Sequence, residues 1–186
     1  MTSNVIDLDA IELLSGKHDS RDDGLCVMEA VAWFAGLTHT DHPACTDPVV
    51  AAYARALNDV MPHDRRQELK RFIPLLAGTS NGCPPEKRAF LCADVAVRVF
   101  AVAALKVAGL TKEADDLAGL TPITDKASAA ANAAYAANAA YAANAAAYAA
   151  NAAYAANAAA NAANAAAYAA AWDRAIELLG ELIELH

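Results

Sequence analysis

Apolar residues recur at helical spacing through most of the first 120 residues. In the segment 26–35, Val27, Val31 and Phe34 fall on one side of a helix, and Gly36 is well placed to end it. No stretch alternates apolar and polar residues with the period of two that a half-buried strand requires. The pattern therefore predicts an all-α fold.

Residues that favour helix ends mark several further helices. Asp47 followed by Pro48 predicts the start of a helix that reaches about residue 60. Thr111 and Gly119 bracket a shorter one. Three more helices are predicted at residues 7–14, 64–77 and 86–108. The last of these is apolar on most sides, which is typical of the central helix of a bundle.

Residues 127–171 contain 32 Ala, 7 Asn, 5 Tyr and Ser128, and this segment is called the alanine tract below. Alanine is the best helix former, so the alanine tract predicts one long helix with little side-chain chemistry. At 1.5 Å per residue such a helix would be ~68 Å long, which exceeds the diameter of a small domain. The sequence therefore predicts two parts: a compact helical domain at 1–120, and a long Ala-rich helix with an amphipathic end at 121–186.

Asn and Tyr recur through the alanine tract at steps of three and four residues. Between residues 151 and 172 these steps hold one side of the helix, as the seam of a coiled coil does. Small alanine side chains let two helices approach closely, and aromatic rings can lie across the partner. The aromatic residues predicted to form an interaction surface are Tyr135, Tyr141, Tyr148, Tyr154, Tyr168 and Trp172. The alternative is a tolerated spacer that stays helical because alanine allows it.

The end of the chain is a different kind of helix, with large apolar residues on one side and acidic residues on the other. Ile176, Leu179 and Ile183 continue the stripe that begins at Trp172. An amphipathic helix of this kind must bury its apolar face against something. Two readings stay open: the tail packs against its own N-terminal domain, or it contacts an oligomer partner.

Composition narrows the class of protein. The formal charge of −8 argues against sequence-independent nucleic-acid binding, which depends on cationic contacts to phosphates. Frequent Asn makes the alanine tract a poor membrane span, and the first residues do not resemble a secretory signal. Four cysteines in a chain of this kind favour reduced thiols. We therefore expect a cytoplasmic protein that binds neither nucleic acid nor membrane.

The densest group of polar residues lies between residues 18 and 45. His42 and Cys45 have the two-residue gap that is common in zinc sites, and with His18 and Cys26 they would make a Cys2His2 set. Zinc is thus the one cofactor that the sequence suggests. In the alternative reading the histidines bond to backbone groups, and the cysteines are small buried apolar residues.

A thiol-dependent enzyme is a second reading of the same segment. Cys26 stands at a predicted helix N-terminus, where the helix dipole favours a thiolate, and His18 or His42 could serve as its base. Glu29, one turn later, fits a metal ligand, a general base or a salt-bridge partner. The last role is the commonest for such a residue.

Two strings within this region carry a family resemblance. They are Asp23-Gly24-Leu25-Cys26-Val27-Met28-Glu29-Ala30-Val31-Ala32 and Asp41-His42-Pro43-Ala44-Cys45, followed by Pro48-Val49. Over residues 12–120 the chain resembles an uncharacterised family from actinobacteria and their phages. The resemblance implies no activity, but it draws attention to His18, Cys26, Glu29, His42 and Cys45.

The function expected from these patterns is a non-catalytic interaction or scaffold protein that self-associates through its Ala-rich C-terminal helix. Three alternatives stay open. The first is a metal- or thiol-dependent enzyme that uses the 18–45 residues. The second is a phage-type binder that sequesters a small molecule or a host protein. The third is an ice-binding helix, although the alanine tract lacks the regular threonines of the alanine-rich antifreeze proteins that it resembles in composition.

Overall fold

The computed structural model describes residues 6–133, 135, 137–138 and 157–185, and only the backbone of residues 157–168. Within that part of the chain the α-helices are α1 (Val27–Phe34), α2 (Pro48–Val60), α3 (His63–Arg66), α4 (Ile73–Leu76), α5 (Pro85–Val95), α6 (Val102–Val107), α7 (Thr111–Ala118) and α8 (Asn157–Glu184). The 3₁₀-helical stretch Gln67–Phe72 joins α3 to α4, and the π-helical stretch Ala96–Ala101 joins α5 to α6. Residues 126–133 are also helical. No strand occurs among these residues, so the all-α prediction is confirmed.

The chain forms two compact units. The first comprises Met1–Pro85 together with Ala175–His186, and the second comprises Glu86–Arg174. The division predicted from composition, at residue 120, stays a prediction, because compact packing and independent folding are different properties. In the first unit α1 packs against α2 and α4. In the second, α6 and α7 pack together around Val102, Leu105, Ala114 and Leu117.

The N-terminal segment does not form the helix predicted at residues 7–14. Residues 8–10 make a turn, and Leu13 forms an isolated parallel bridge with Leu25. The side chain of Gln67 accepts a hydrogen bond from the Leu13 N–H (3.0 Å) and donates one to the Leu13 carbonyl (2.9 Å). Asn58 donates to the next carbonyl, that of Leu14, at 2.9 Å. Tertiary partners thus satisfy the backbone groups that a local helix would have used.

The helix predicted at residues 64–77 is divided into α3, the 3₁₀ stretch and α4. Pro74 lies in the first turn of α4, where its missing N–H costs no hydrogen bond. Arg66, in the basic part of this segment, is buried. Its guanidinium donates to the carbonyls of Asn58 (2.6 Å) and Met61 (2.8 Å) and so caps the C-terminus of α2.

The segment predicted at 86–108 is less deeply buried than its composition suggests. Only Arg88, Val95, Val102 and Leu105 are buried in it. The π-helical stretch Ala96–Ala101 widens the helix in the middle, and none of its six residues is fully buried. The expectation of a central, fully covered bundle helix was therefore wrong for this segment.

The amphipathic tail packs within the first unit. The buried residues of this tail are Ala175, Ile176, Leu178, Leu179, Leu182 and Ile183. The hydroxyl of Tyr53 donates to the Ala175 carbonyl at 3.0 Å, and Asn81 donates to the Leu185 carbonyl at 3.2 Å. Each fully buried leucine contributes roughly 2 kcal/mol to the free energy of unfolding. The first of the two readings of the tail, packing against its own N-terminal residues, is the one found here.

The described helices include none that combines the length and the apolar character needed to cross a bilayer.

Candidate functional site around Glu29

Helix α1 begins at a capping box in which a cysteine replaces the usual serine or threonine. The sulfur of Cys26 accepts a hydrogen bond from the Glu29 N–H (3.5 Å), and Glu29 Oε2 accepts one from the Cys26 N–H (2.8 Å). Two N–H groups of the first helical turn are thereby satisfied. The Cys-x-x-Glu spacing is thus explained by helix capping.

The carboxylate of Glu29 also binds the loop that precedes α1. Its Oε1 accepts the backbone N–H of His18 at 2.7 Å, and its Oε2 lies 2.9 Å from His18 Nδ1. The side chain is fully buried, and burial alone would raise its pKa. Hydrogen bonds from Cys26 and His18 outweigh the burial, so the pKa of Glu29 lies below its ordinary value and the group stays ionised. Of the roles considered for Glu29, salt-bridge partner is the one that this geometry gives it.

A second histidine, His39, contacts both Glu29 and His18. His39 Nε2 lies 3.0 Å from the His18 carbonyl and 3.7 Å from Glu29 Oε1. Both of these atoms are acceptors, so we assign the proton of the ring to Nε2. His18 Nδ1 faces a carboxylate oxygen and by the same argument carries a proton. We call Glu29, Cys26, His18 and His39 the Glu29 cluster.

Gly24 allows the ring of His18 to lie where it does. Its φ is +138°, a backbone conformation that residues with a Cβ rarely adopt. A Cβ on this residue would lie 2.7 Å from His18 Cδ2 and 2.8 Å from a methyl carbon of Leu14. The loop therefore requires glycine both for its conformation and for the close approach of the imidazole.

The environment of Cys26 keeps its thiol protonated and therefore unreactive. Burial, together with the nearby Glu29 carboxylate, raises its pKa to about 12, although hydrogen bonds from the Glu29 and Met28 N–H groups act in the opposite direction. A thiolate is the reactive form, and at neutral pH this thiol is almost wholly protonated. The expected effect of the helix dipole is thus overridden by desolvation. This geometry gives no support to Cys26 as a nucleophile.

The other two residues of the predicted zinc set have separate partners. His42 Nδ1 lies 2.8 Å from Asp41 Oδ1, and its side chain is 67% exposed. Cys45 is half-buried, with its sulfur 3.9 Å from Thr46 Oγ1. Burial raises the pKa of Asp41, but the bond and the charge of His42 bring it below its usual value.

His18 and Cys26 therefore meet at Glu29, whereas His42 and Cys45 are engaged elsewhere. Throughout the described part of the chain, no three His, Cys, Asp or Glu side chains stand together as a group that could hold a metal ion. Zinc at His18, Cys26, His42 and Cys45 is not needed to explain the position of any of them, and it stays a prediction.

Two residues of this region, His39 and Asn58, were not among the predicted site residues, although His39 lies within the polar segment 18–45. Asn58 is fully buried in α2, and its Oδ1 accepts the N–H of Val27 at 3.1 Å, beside the capping box. Neither residue has a spacing that relates it to Cys26 or Glu29, since both approach through the folding of distant segments. The local signal that was available is the capping-box spacing itself.

The predicted interaction residues fall into three groups. Tyr135 is 52% exposed and Trp172 is half-buried. Ile176, Leu179 and Ile183 are buried in the first unit. Tyr141, Tyr148 and Tyr154 lie outside the described residues, as does the side chain of Tyr168.

No protein-family model, no curated protein and no solved structure matches this chain. The resemblance to an actinobacterial and phage family therefore stays a prediction.

Proposed function

We propose that this protein is a non-catalytic helical interaction or scaffold protein that self-associates through its Ala-rich C-terminal helix. The observation that carries the proposal is an exposed surface without charge in the first part of the alanine tract. Ala131, Ala133, Tyr135, Ala137 and Asn138 are all exposed, and no residue between Lys126 and Asp173 is ionisable at neutral pH. Monomeric proteins rarely leave a large uncharged, apolar surface in water.

Two hydrogen bonds hold the start of the alanine tract while this surface stays exposed. Asp125 Oδ1 accepts the Ser128 N–H at 2.8 Å and caps the helical residues 126–133. Asn132 is buried and donates to the Thr121 carbonyl at 2.8 Å. One asparagine thus fastens the helix to its own unit, while the neighbouring alanines stay exposed.

The tail serves this function as an anchor. Ile176, Leu179 and Ile183 are buried in the first unit, so they are not free to contact a second chain. We therefore assign self-association to the alanine tract alone, and these three residues leave the interaction surface that was predicted from sequence. A second chain laid along small side chains could approach closely, with Tyr135 across the contact.

The Glu29 cluster supports the non-catalytic part of the proposal. Its carboxylate accepts several N–H groups, and its thiol has a pKa of about 12. The polar groups are used to join α1 to the loop before it. A reactive centre would instead keep a nucleophile or base accessible to a substrate.

Sedimentation velocity on the full chain across micromolar concentrations tests the proposal. We expect the wild type to associate reversibly, and Ala131→Glu with Ala137→Glu to shift it to monomer, since glutamate keeps the helix but repels its copy. Ala52→Glu with Ala118→Glu adds the same charge at exposed helical sites elsewhere and should leave association unchanged. A monomeric wild type, or equal behaviour of the two double variants, would contradict the proposal.

A further inference from the structure

A pocket of about 310 Å³ lies in the first unit, at the N-terminal end of α2. Its apolar walls include Pro43, Ala44 and Ala51. Its polar lining includes His42, Arg55 and Ser80. The volume is at the lower end of the range for small-molecule sites, and an apolar wall with a few converging polar groups is the usual composition of such sites.

Arg55 brings a held guanidinium to this pocket. Its Nη1 donates to the Asp41 carbonyl at 2.8 Å, which fixes the direction of the side chain. Among the described residues, Nε and Nη2 make no hydrogen bond. Arginine can form two parallel bonds to a carboxylate, so a fixed guanidinium with donors to spare suits that group.

His42 is oriented by the same Asp41. Asp41 Oδ1 lies 2.8 Å from Nδ1 of the ring and accepts a hydrogen bond from it, which leaves Nε2 of the neutral imidazole as a hydrogen-bond acceptor. The backbone N–H of Ser80 is held by the Cys45 carbonyl at 3.2 Å, and its hydroxyl has no hydrogen-bond partner in the part of the chain that the structure describes. The lining of the pocket thus combines three polar residues with an apolar wall.

We propose that this pocket binds a small organic carboxylate with a compact apolar body. The carboxylate would pair with the Arg55 guanidinium and accept a hydrogen bond from the Ser80 hydroxyl, and the body would lie against Pro43, Ala44 and Ala51. A neutral ligand of the same shape would desolvate the guanidinium without replacing its lost hydrogen bonds to water, which is unfavourable. A phosphate without an apolar body would leave the wall uncovered.

Chemical-shift titration of the full-length protein with benzoate, and separately with benzyl alcohol, tests this proposal. Benzoate should shift resonances of the pocket residues in a saturable manner, and the neutral alcohol should bind at least about tenfold more weakly, as expected from the loss of a charged hydrogen bond. Arg55→Gln should weaken benzoate binding by roughly tenfold or more, and Ser80→Ala by a smaller factor. No saturable shift, or equal binding of acid and alcohol, would overturn the proposal.

A second pair of variants keeps the test decisive if Arg55→Gln perturbs folding. Ala44→Leu enlarges an exposed residue of the pocket wall and should abolish benzoate binding by filling the space. Ala52→Leu makes the same change at an exposed position of α2 that does not line the pocket, and it should bind as the wild type does. Benzoate binding that survives Ala44→Leu would place the ligand elsewhere and refute the site.

The pocket is independent of self-association, and the two proposals can fail separately. The monomeric variant Ala131→Glu with Ala137→Glu should bind benzoate with wild-type affinity. Loss of binding in that variant alone would contradict a site built wholly from residues 42–80.

Discussion

The Glu29 cluster and the alanine tract are the two regions of this chain that stand out in sequence, for opposite reasons. The first concentrates ionisable side chains in a buried site, where Glu29 receives N–H groups from Cys26 and His18. The second has no ionisable side chain other than tyrosine, and most of its described side chains are exposed. The comparison teaches that a dense group of reactive residue types can be engaged in hydrogen bonds that join a helix to a loop, while a stretch poor in chemistry stays largely exposed.

Replacing Glu29 by alanine should have the largest effect. The backbone N–H groups of His18 and Cys26 would lose their acceptor in a buried site, and His18 Nδ1 would lose its partner. We expect a loss of roughly 3–5 kcal/mol in the free energy of unfolding, measured by urea denaturation. Ala131→Ser in the exposed alanine tract should change it by less than about 0.7 kcal/mol, mainly through helix propensity.

Glu184→Ala is the matched control, because it removes the same charge from an exposed position. Similar losses from Glu29→Ala and Glu184→Ala would mean that the Glu29 cluster does not hold the first unit together, and the comparison would break.

Acidification should gradually remove the contribution of Glu29 to the free energy of unfolding, whereas the alanine tract has no carboxylate to protonate. The pKa of Glu29 lies below its ordinary value, so its ionised form is favoured by folding. Its contribution to stability is therefore complete above the unfolded value of about 4.5 and is lost as the pH falls through the lower folded value. Unfolding free energies measured from neutral pH downward should fall more steeply below about pH 4.5 in the wild type than in Glu29→Gln.

Asp41 and Asp125 also have lowered pKa values. They therefore contribute to the loss of stability at low pH in the wild type and in Glu29→Gln alike. Only the difference between wild type and Glu29→Gln reports on Glu29. Parallel curves would show that its ionised form gains nothing from folding.

Within the Glu29 cluster, the smallest effect on stability is expected at Cys26. With a pKa of about 12 its thiol should resist a thiol reagent at pH 8 until the protein unfolds, while the half-buried Cys45 reacts first. Cys26→Ser should change the free energy of unfolding by less than about 1 kcal/mol, because serine is itself a preferred N-cap. Rapid labelling of Cys26 in the native protein, shown by peptide mass mapping, would restore the nucleophile hypothesis.

What could be predicted from the sequence was local. Asp47 with Pro48 marked the start of α2, and Gly36 marked the end of α1, because caps and terminators act within one helical turn. The Cys26 to Glu29 spacing was visible for the same reason.

What escaped prediction depends on distant partners. Gln67 and Asn58 hold Leu13 and Leu14 in an extended segment that local preference would have made helical. His39 reaches Glu29 across a loop, and Arg66 turns inward to cap α2. The composition of residues 86–108 could not reveal a π-helical stretch that leaves Val97 and Phe100 half-covered.

The first unit is discontinuous along the chain, since Ala175–His186 completes a body that otherwise ends at Pro85. The alanine tract thus belongs to a long excursion that leaves this body and returns to it. Because both ends of this excursion join the same body, any change in the number of repeats has to be accommodated within residues 86–174.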